Sequence, residues 1–507
     1  MTMLPALLVL LPALLGLAAL RVRGAHASLG LLLFGAALHA AGTASLWVWR
    51  PAPWAGELLA LDSLGLLFLS ITSVVFLAAC LYAVPYLLHG TYASQGAPHR
   101  FVPCLLWFLA AMTLVCVTQH LALLWAAVEA TTLASAPLIY FYRRPGALEA
   151  AWKYLLLCSV GIALALLGVF FLGVAASAAP GARLDLTVSG LSALAPSMSR
   201  PWLTAAFVLA LVGYGTKMGL VPLHTWLPDA HSQAPSPVSA LLSGALLNGA
   251  FLAILRFLHV CSASGDAGFA RTLLLVFGFG SMAVAAGFML LQRDYKRLLA
   301  YSSIENMGIL CVGAGLGAGA TYGALLHAVN HSLCKAGFFF VAGNVLREYS
   351  TTDAGEVRGV LRRLPVTGGL MLVFLFALGG TPPSGTFWSK FLIFRAGLEG
   401  SNPWPGVLFA ALATVAFLGM AATVLPMVYG GEAAGASTAG ASIAGAEPRA
   451  SAPHGGAGPA RGPARRREAT LAVAAPMALA AAVVAFGLVV PPSLGLVLRD
   501  AVRALWG

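Results

Sequence analysis

Apolar stretches of about twenty residues recur along the whole chain. A helix needs roughly twenty apolar residues to cross a bilayer's hydrocarbon core. The chain supplies such runs near residues 4–20, 26–48, 62–84, 102–118, 121–142, 154–177, 202–222, 237–260, 272–291, 297–315, 321–346, 366–397, 405–430 and 471–492. The runs are continuous and rich in Leu, Ala and Gly, without the alternating pattern of membrane-spanning strands. The pattern therefore predicts an all-α polytopic membrane protein with about fourteen transmembrane helices. An even number of crossings puts both termini on one side of the membrane.

Two segments interrupt the pattern. Residues 432–469 are rich in Ala, Gly, Pro and Ser and end near Arg465, Arg466 and Arg467, which reads as a flexible linker before the last crossing. The first apolar run lacks a basic stretch before it and is followed by Arg21 and Arg23, which favours a retained helix over a cleaved signal. Loop charges then give the orientation. About 18 basic residues fall in loops on one side, Arg143, Arg144, Arg293, Lys296 and Arg297 among them, against about 8 on the other, Arg50 and Arg256 included. The richer side is cytoplasmic by the positive-inside rule, so both termini are expected outside the cytoplasm.

Composition narrows the class further. Of 507 residues, 60% are hydrophobic and 9% charged, too few charges for soluble domains and too much apolarity for disorder. The net charge of +12 is absorbed by the orienting loops, and no basic stripe with interleaved aromatics suggests nucleic acid. The seven cysteines lie scattered in apolar runs without CxxC spacing, so disulfides, zinc and iron–sulfur ligation are not expected. No GxGxxG opens a strand–helix unit that could hold a dinucleotide.

Against this background, ionisable residues inside the apolar runs stand out. Each costs roughly 2.5–3.5 kcal/mol at the bilayer centre, so such groups are usually functional, paired or facing water. Glu129 lies in HLALLWAAVEATTLASAPLIYF, and Lys217 in LVGYGTKMGLVPLHTWLPDAH, where Gly219 and Pro222 loosen the helix. Glu305 lies in RDYKRLLAYSSIENMG. His327, His331 and Lys335 follow at i, i+4, i+8 and stack on one helix face. Lys390 follows a break at Pro382, Pro383 and Gly385. His224, Asp229 and His231 lie in a loop-like stretch, where they cap helices or gate access. Burial lowers the pKa of Lys and His and a neighbouring carboxylate raises it again, so a series of these groups reads as a proton relay. The histidine spacing alone would also suit a metal pair, but no acid or thiolate pattern accompanies it, and no metal is expected. Glu129 before a broken helix with Lys217, and Glu305 before a broken helix with Lys390, form a coarse internal repeat of the kind transporters use.

The same residues carry a family resemblance. TKMGLVPLHTWLPDAHSQAPSPVSALLSG, DYKRLLAYSSIENMG, LLHAVNHSLCKAGFFF and GGTPPSGTFWSK are similar to motifs of the antiporter-like proton-pumping subunits of respiratory complex I (NADH-quinone oxidoreductase) and Mrp antiporters, over about residues 60–430. Within that family the combination looks most like component F of hydrogenase 4, of group 4 [NiFe] hydrogenase or formate hydrogenlyase complexes. The resemblance implies two inverted five-helix repeats, each with a broken helix. It divides the chain into 1–100 (three helices), 101–265 and 266–431 (the repeats), 432–469 (linker) and 470–507 (the last transmembrane helix). It implies that Glu129 modulates Lys217, that His327, His331 and Lys335 form the central relay, and that Lys390 is the exit-side station. Many relatives have a histidine after the PVSAL motif; this chain offers Ser243 and Asn248 instead.

The resulting expectation is a proton-translocating subunit of a redox-driven complex in a bacterial inner membrane. The relay is Glu129, Lys217, His327, His331, Lys335 and Lys390, with Glu305, Ser243, Asn248, His224 and Asp229 as auxiliaries. The chain would hold no cofactor of its own. A NiFe centre and iron–sulfur clusters would lie in a peripheral hydrogenase-like or complex I-like arm, alongside other membrane subunits. Na+/H+ exchange, or energising the uptake of inorganic carbon, is the alternative.

Overall fold

The computed structural model describes residues 3–50, 52–53, 58–88, 97–177, 185–265, 267–399, 402–431 and 468–507. The linker expected at 432–469 lies outside them except for its last two residues. The described residues are mainly helical: α1 (Leu4–Ala19), α2 (Ala25–Ser45), α3 (Ser63–Leu88), α4 (Ala97–Val117), α5 (Leu121–Ile139), α6 (Pro145–Ser177) and the short α7 (Val188–Leu194) come first. Then follow α8 (Arg200–Met218), α9 (Trp226–Gln233), α10 (Ser236–Leu241), α11 (Leu247–Ala263), α12 (Gly268–Leu291), α13 (Tyr295–Gly315) and α14 (Ala318–Tyr349). The last are α15 (Val360–Arg363), α16 (Pro365–Gly379), α17 (Gly385–Leu398), α18 (Trp404–Tyr429), α19 (Thr470–Leu488) and α20 (Pro492–Trp506).

All fourteen expected crossings are present among the described residues. Nine helices are each long and apolar enough to span a membrane. The others are short, as α1 is, or carry charged and amide groups, as α8, α13, α14 and α17 do. Two crossings are broken. α8 ends at Gly219, whose φ of +82° suits a residue without Cβ, and the chain unwinds before α9. α16 ends in the same way at Gly380 (φ +84°), and α17 resumes after Pro382 and Pro383. Proline supplies no N–H to continue either helix. α10 and α11 form one crossing, joined by a π-helical turn over Leu242–Leu246. That crossing is buried along its whole apolar window, and α14 is buried from Thr321 to Val345 apart from Tyr322, so these two form the centre.

Small residues let the helices approach closely. A Cβ on Gly213 would lie 2.5 Å from the Gly161 carbonyl, and one on Gly308 would lie 2.6 Å from the Gly278 carbonyl, so α6 packs backbone-to-backbone on α8 and α12 on α13. Dispersion between close backbones drives association where lipid removes the hydrophobic drive. At the end of the linker, Glu468 accepts from the backbone N–H of Val366 (2.8 Å) and Thr367 (3.1 Å) at the start of α16. Asn344 donates to Thr367 Oγ1 (3.2 Å) and to the Ala472 carbonyl (3.1 Å), which fixes α19 against α14 and α16.

The chain's last stretch differs from the expected single crossing at 470–507. α19 crosses, and α20 is a separate amphipathic helix that buries Leu494, Val497, Leu498, Ala501 and Leu505. It packs across α3, α11 and α14, and Trp506 Nε1 donates to Thr321 Oγ1 (3.1 Å). Its charged residues spoil a contiguous apolar run, so a hydropathy pattern misses it. Two loop assignments also fail. Arg256 lies inside α11 and Lys296 in the first turn of α13, and both are buried. A charge near the end of an apolar run looks like a loop charge when its partner is distant in sequence.

Candidate functional site

In the first half, Lys217 ends α8 just before the break and is fully buried. Its Nζ donates to Thr132 Oγ1 (2.5 Å) and to the Tyr154 hydroxyl (2.8 Å), and it lies 4.7 Å from the centre of the Tyr154 ring. Glu129, one turn before Thr132 on α5, is half-buried. Its carboxylate accepts from Thr132 Oγ1 (3.2 Å) and from Ser159 Oγ of α6 (2.8 Å). Acid and lysine therefore meet through a hydroxyl and not as a direct ion pair. Thr132 accepts from the ammonium and donates to the carboxylate, the only polarity that satisfies both charges. The i, i+3 spacing of Glu129 and Thr132 puts both on one helix face. Thr132, Tyr154 and Ser159 escape a search for charges because they carry none.

The second half holds the corresponding acid and lysine in direct contact. Lys390, in α17 just after the second break, lies 3.5 Å from Glu305 of α13 and donates to the Leu378 carbonyl (2.8 Å) across the break. Glu305 also accepts from Asn306 Nδ2 (2.5 Å). Glu305, read from sequence as an auxiliary, thus stands in the same place relative to Lys390 as Glu129 does to Lys217. Burying either charge of such a pair alone would cost several kcal/mol, which pairing offsets.

Between the halves, α14 carries His327, His331 and Lys335, all fully buried. Lys335 Nζ donates to the Leu299 carbonyl (2.5 Å) and to the Ser302 hydroxyl, both on α13, and lies 5.9 Å from the centre of the Phe339 ring. The His327 and His331 rings stack with centroids 6.1 Å apart. His327 Nδ1 meets Ser389 Oγ and Nε2 meets Asn306 Oδ1, each at 2.8 Å. Both ring nitrogens of His331 are buried without a protein hydrogen-bond partner. Buried polar atoms of this kind normally bind ordered water. Sequence reasoning misses Asn306, Ser302 and Ser389; their only signal is adjacency to Glu305 and Lys390 in the quoted motifs.

The auxiliaries divide. Ser243 lies in the π-helical turn and pairs with Ser303 Oγ (2.8 Å). Asn248 donates to Ser332 Oγ (2.6 Å) and keeps a buried, unpartnered Oδ1. Neither hydrogen-bonds Lys217 or Lys335, so a direct side-chain bridge through Ser243 is absent. Asp229 lies on α9, a short helix where sequence suggested a loop, and pairs with Arg297 (2.7 Å) and Lys153 (3.2 Å) near the surface. His224 precedes α9, with Nδ1 unpartnered. Buried Lys296 closes the end of α9 by donating to the Ser232 (3.0 Å) and Ala234 (2.7 Å) carbonyls. At the opposite end of the bundle Arg256 forks onto Asp62, whose carboxylate also caps α3 at the Gly65 N–H (2.8 Å). Among the described residues no three His, Cys, Asp or Glu side chains converge as a metal site would require.

Residues 118–427 match the family model described as NADH:quinone oxidoreductase/Mrp antiporter, TM. The chain is 35% identical over 381 residues to a hydrogenase-4 component F homologue of Methylacidiphilum infernorum, covering 74% of this chain and 79% of that one. It is 34% identical over 378 residues to NADH-quinone oxidoreductase subunit N of Desulforudis audaxviator, covering 73% and 71% respectively. In fold it superimposes on a chain of the Mrp complex from Dietzia sp. DQ12-45-1b with a TM-score of 0.81, at 19% identity, covering 100% of this chain and 99% of that one. The matched span contains every residue of the acid–lysine units and of the histidine helix between them. The chain is a multi-pass membrane protein that belongs to the NADH:quinone oxidoreductase/Mrp antiporter transmembrane family.

Proposed function

We propose that this chain is the proton-translocating membrane subunit of a redox-driven complex of the hydrogenase 4 or formate hydrogenlyase kind. Protons move through Glu129, Lys217, His327, His331, Lys335 and Lys390 while electrons move in partner subunits. The observation that carries the reading is the pairing of a carboxylate with a lysine at each helix break, Glu129–Thr132–Lys217 and Glu305–Lys390. Between them lies a buried helix of His327, His331 and Lys335. Groups of this kind change charge in response to a neighbour's charge, which lets an event at one unit be felt at the next.

The repeats are taken as 101–265 and 266–431, α4 to α11 and α12 to α18, with the chain in a bacterial inner membrane and both termini outside the cytoplasm. The NiFe centre and iron–sulfur clusters would belong to the partner arm. The carboxylates favour H+ over Na+. Glu129 and Glu305 are engaged by hydroxyl, amide and ammonium donors, whereas a sodium site needs converging oxygen acceptors.

The test is Lys335→Ala in the intact complex in native membrane vesicles. Proton translocation is expected to be abolished, with the complex still assembled by affinity pull-down of this chain. Unchanged translocation in the assembled variant would remove the relay reading. The same pull-down identifies the partners. A hydrogenase large subunit supports the hydrogenase assignment, and Mrp-type small subunits would replace it with ion exchange.

A further inference from the structure

The hydrogen bonds around His327 fix which of its nitrogens can take a proton. Asn306 is the key. Its Nδ2 lies 2.5 Å from the Ser302 carbonyl and 2.5 Å from Glu305 Oε2. A backbone carbonyl can only accept, and so can the oxygens of a carboxylate paired with Lys390. The amide NH2 must therefore face these two oxygens, and the reverse placement would set oxygen against oxygen twice. That leaves Asn306 Oδ1 facing His327 Nε2 at 2.8 Å. An amide oxygen accepts, so Nε2 carries the hydrogen. In the neutral ring, Nδ1 is then the bare nitrogen, and it faces Ser389 Oγ at 2.8 Å.

Ser389 can serve both charge states of the ring. Its single hydroxyl hydrogen has two acceptors in reach, His327 Nδ1 and the Thr386 carbonyl at 2.9 Å. With the ring neutral, Ser389 donates to Nδ1. When a proton adds to the Nδ1 lone pair, the new N–H donates to Ser389 Oγ, and the serine hydrogen turns to Thr386. No Nε2–H bond breaks in either state.

Resting on the relay reading above, we infer that Asn306 is a positioning residue that holds His327 as the Nε2–H tautomer, so that His327 takes up and returns its proton only at Nδ1, on the Ser389 side. A proton then does not cross the ring from one nitrogen to the other, because Asn306 offers no site for a proton leaving Nε2. His327 then serves the relay as a station loaded and unloaded through one nitrogen, on the side of Ser389, which precedes Lys390 on α17. His331, whose two nitrogens have no protein partner, carries no such constraint.

The test uses the whole membrane complex labelled with 15N-histidine. Solid-state NMR reads each ring nitrogen as protonated or bare, and His327→Gln assigns the signal. A neutral His327 with protonated Nε2 and bare Nδ1 is expected, and a bare Nε2 overturns the inference. Asn306→Leu should let the other tautomer appear, and an unchanged spectrum would remove Asn306 from the role. Ser389→Ala should slow translocation about tenfold by leaving Nδ1 without its hydroxyl, with Ser389→Thr restoring it. An unchanged rate in Ser389→Ala would show that Ser389 is not the partner. The tautomer is measured without turnover, so it stands or falls separately from the Lys335→Ala result.

Discussion

The hydroxyl between Glu129 and Lys217 makes a sharp prediction. Thr132→Val keeps the β-branched shape and removes only the oxygen. In the structure that oxygen takes one hydrogen bond from the ammonium at 2.5 Å and gives one to the carboxylate at 3.2 Å. Lys217 would keep Tyr154, and Glu129 would keep Ser159. Bonds to charged groups are worth about 1.5–3 kcal/mol each, and the groups left behind relax only in part. If about 1.4 kcal/mol of that coupling is expressed in the rate-limiting step, translocation falls about tenfold. Thr132→Ser should restore most of it. The assay is the initial rate of vesicle acidification at matched complex content. Thr132→Val and Glu129→Gln combined should lose little more than the worse single variant, because both cut the same link. A wild-type rate in Thr132→Val beside a slow Glu129→Gln would refute the bridge, and Glu129 would then act on Lys217 by another route.

Other expectations rest on the same kinds of contact. Glu305→Gln leaves Lys390 without its countercharge and should slow translocation at least as much as Glu129→Gln, since that pair is direct; equal wild-type rates would contradict it. Arg256→Met removes the partner of Asp62, which is partly exposed and keeps the Gly65 N–H, and should cost about 1.5–3 kcal/mol, seen as lower yield of folded chain with a normal rate per assembled complex. Gly337→Ala would drive a Cβ into the buried Phe374 ring, and thermal stability in detergent should fall by about 1–3 kcal/mol. Lys153→Met removes only exposed pairs with Glu149 and Asp229, so its melting temperature and rate should match wild type.

How much of this was readable in the sequence depends on what each residue had to betray. The crossings were legible because a bilayer imposes one length on every apolar run. Both breaks were legible too, since glycine and proline act on the backbone locally. Lys217, Lys335 and Lys390 are legible because a charge in an apolar run is costly unless it is functional, paired or hydrated. The remaining differences have two causes. Arg256 and Lys296 looked like loop charges because Asp62 lies 194 residues from Arg256, and the carbonyls that hold Lys296 lie about sixty residues away. α20 escapes a hydropathy pattern because its polar face interrupts the run that marks a crossing.

The harder residues were the neutral ones. Thr132, Tyr154, Ser302, Asn306 and Ser389 are ordinary in composition, and only their placement beside a charge gives them a task. That placement also makes the two halves unequal. Lys217 reaches its acid through a hydroxyl and Lys390 reaches its acid directly. A threonine can release the carboxylate by turning one hydrogen while still accepting from the ammonium, whereas a direct pair must separate its charges. Opening Glu305–Lys390 therefore needs a compensating charge nearby, and His327, joined to Glu305 through the Asn306 amide, is placed to supply it. A proton on Nδ1 would then weaken the grip of Glu305 on Lys390 by competing for the same negative charge. This predicts that His327→Gln slows translocation without dissociating the complex, and that Glu305→Gln in that background adds little. Full additivity of the two losses would mean that His327 and the Glu305–Lys390 pair act independently.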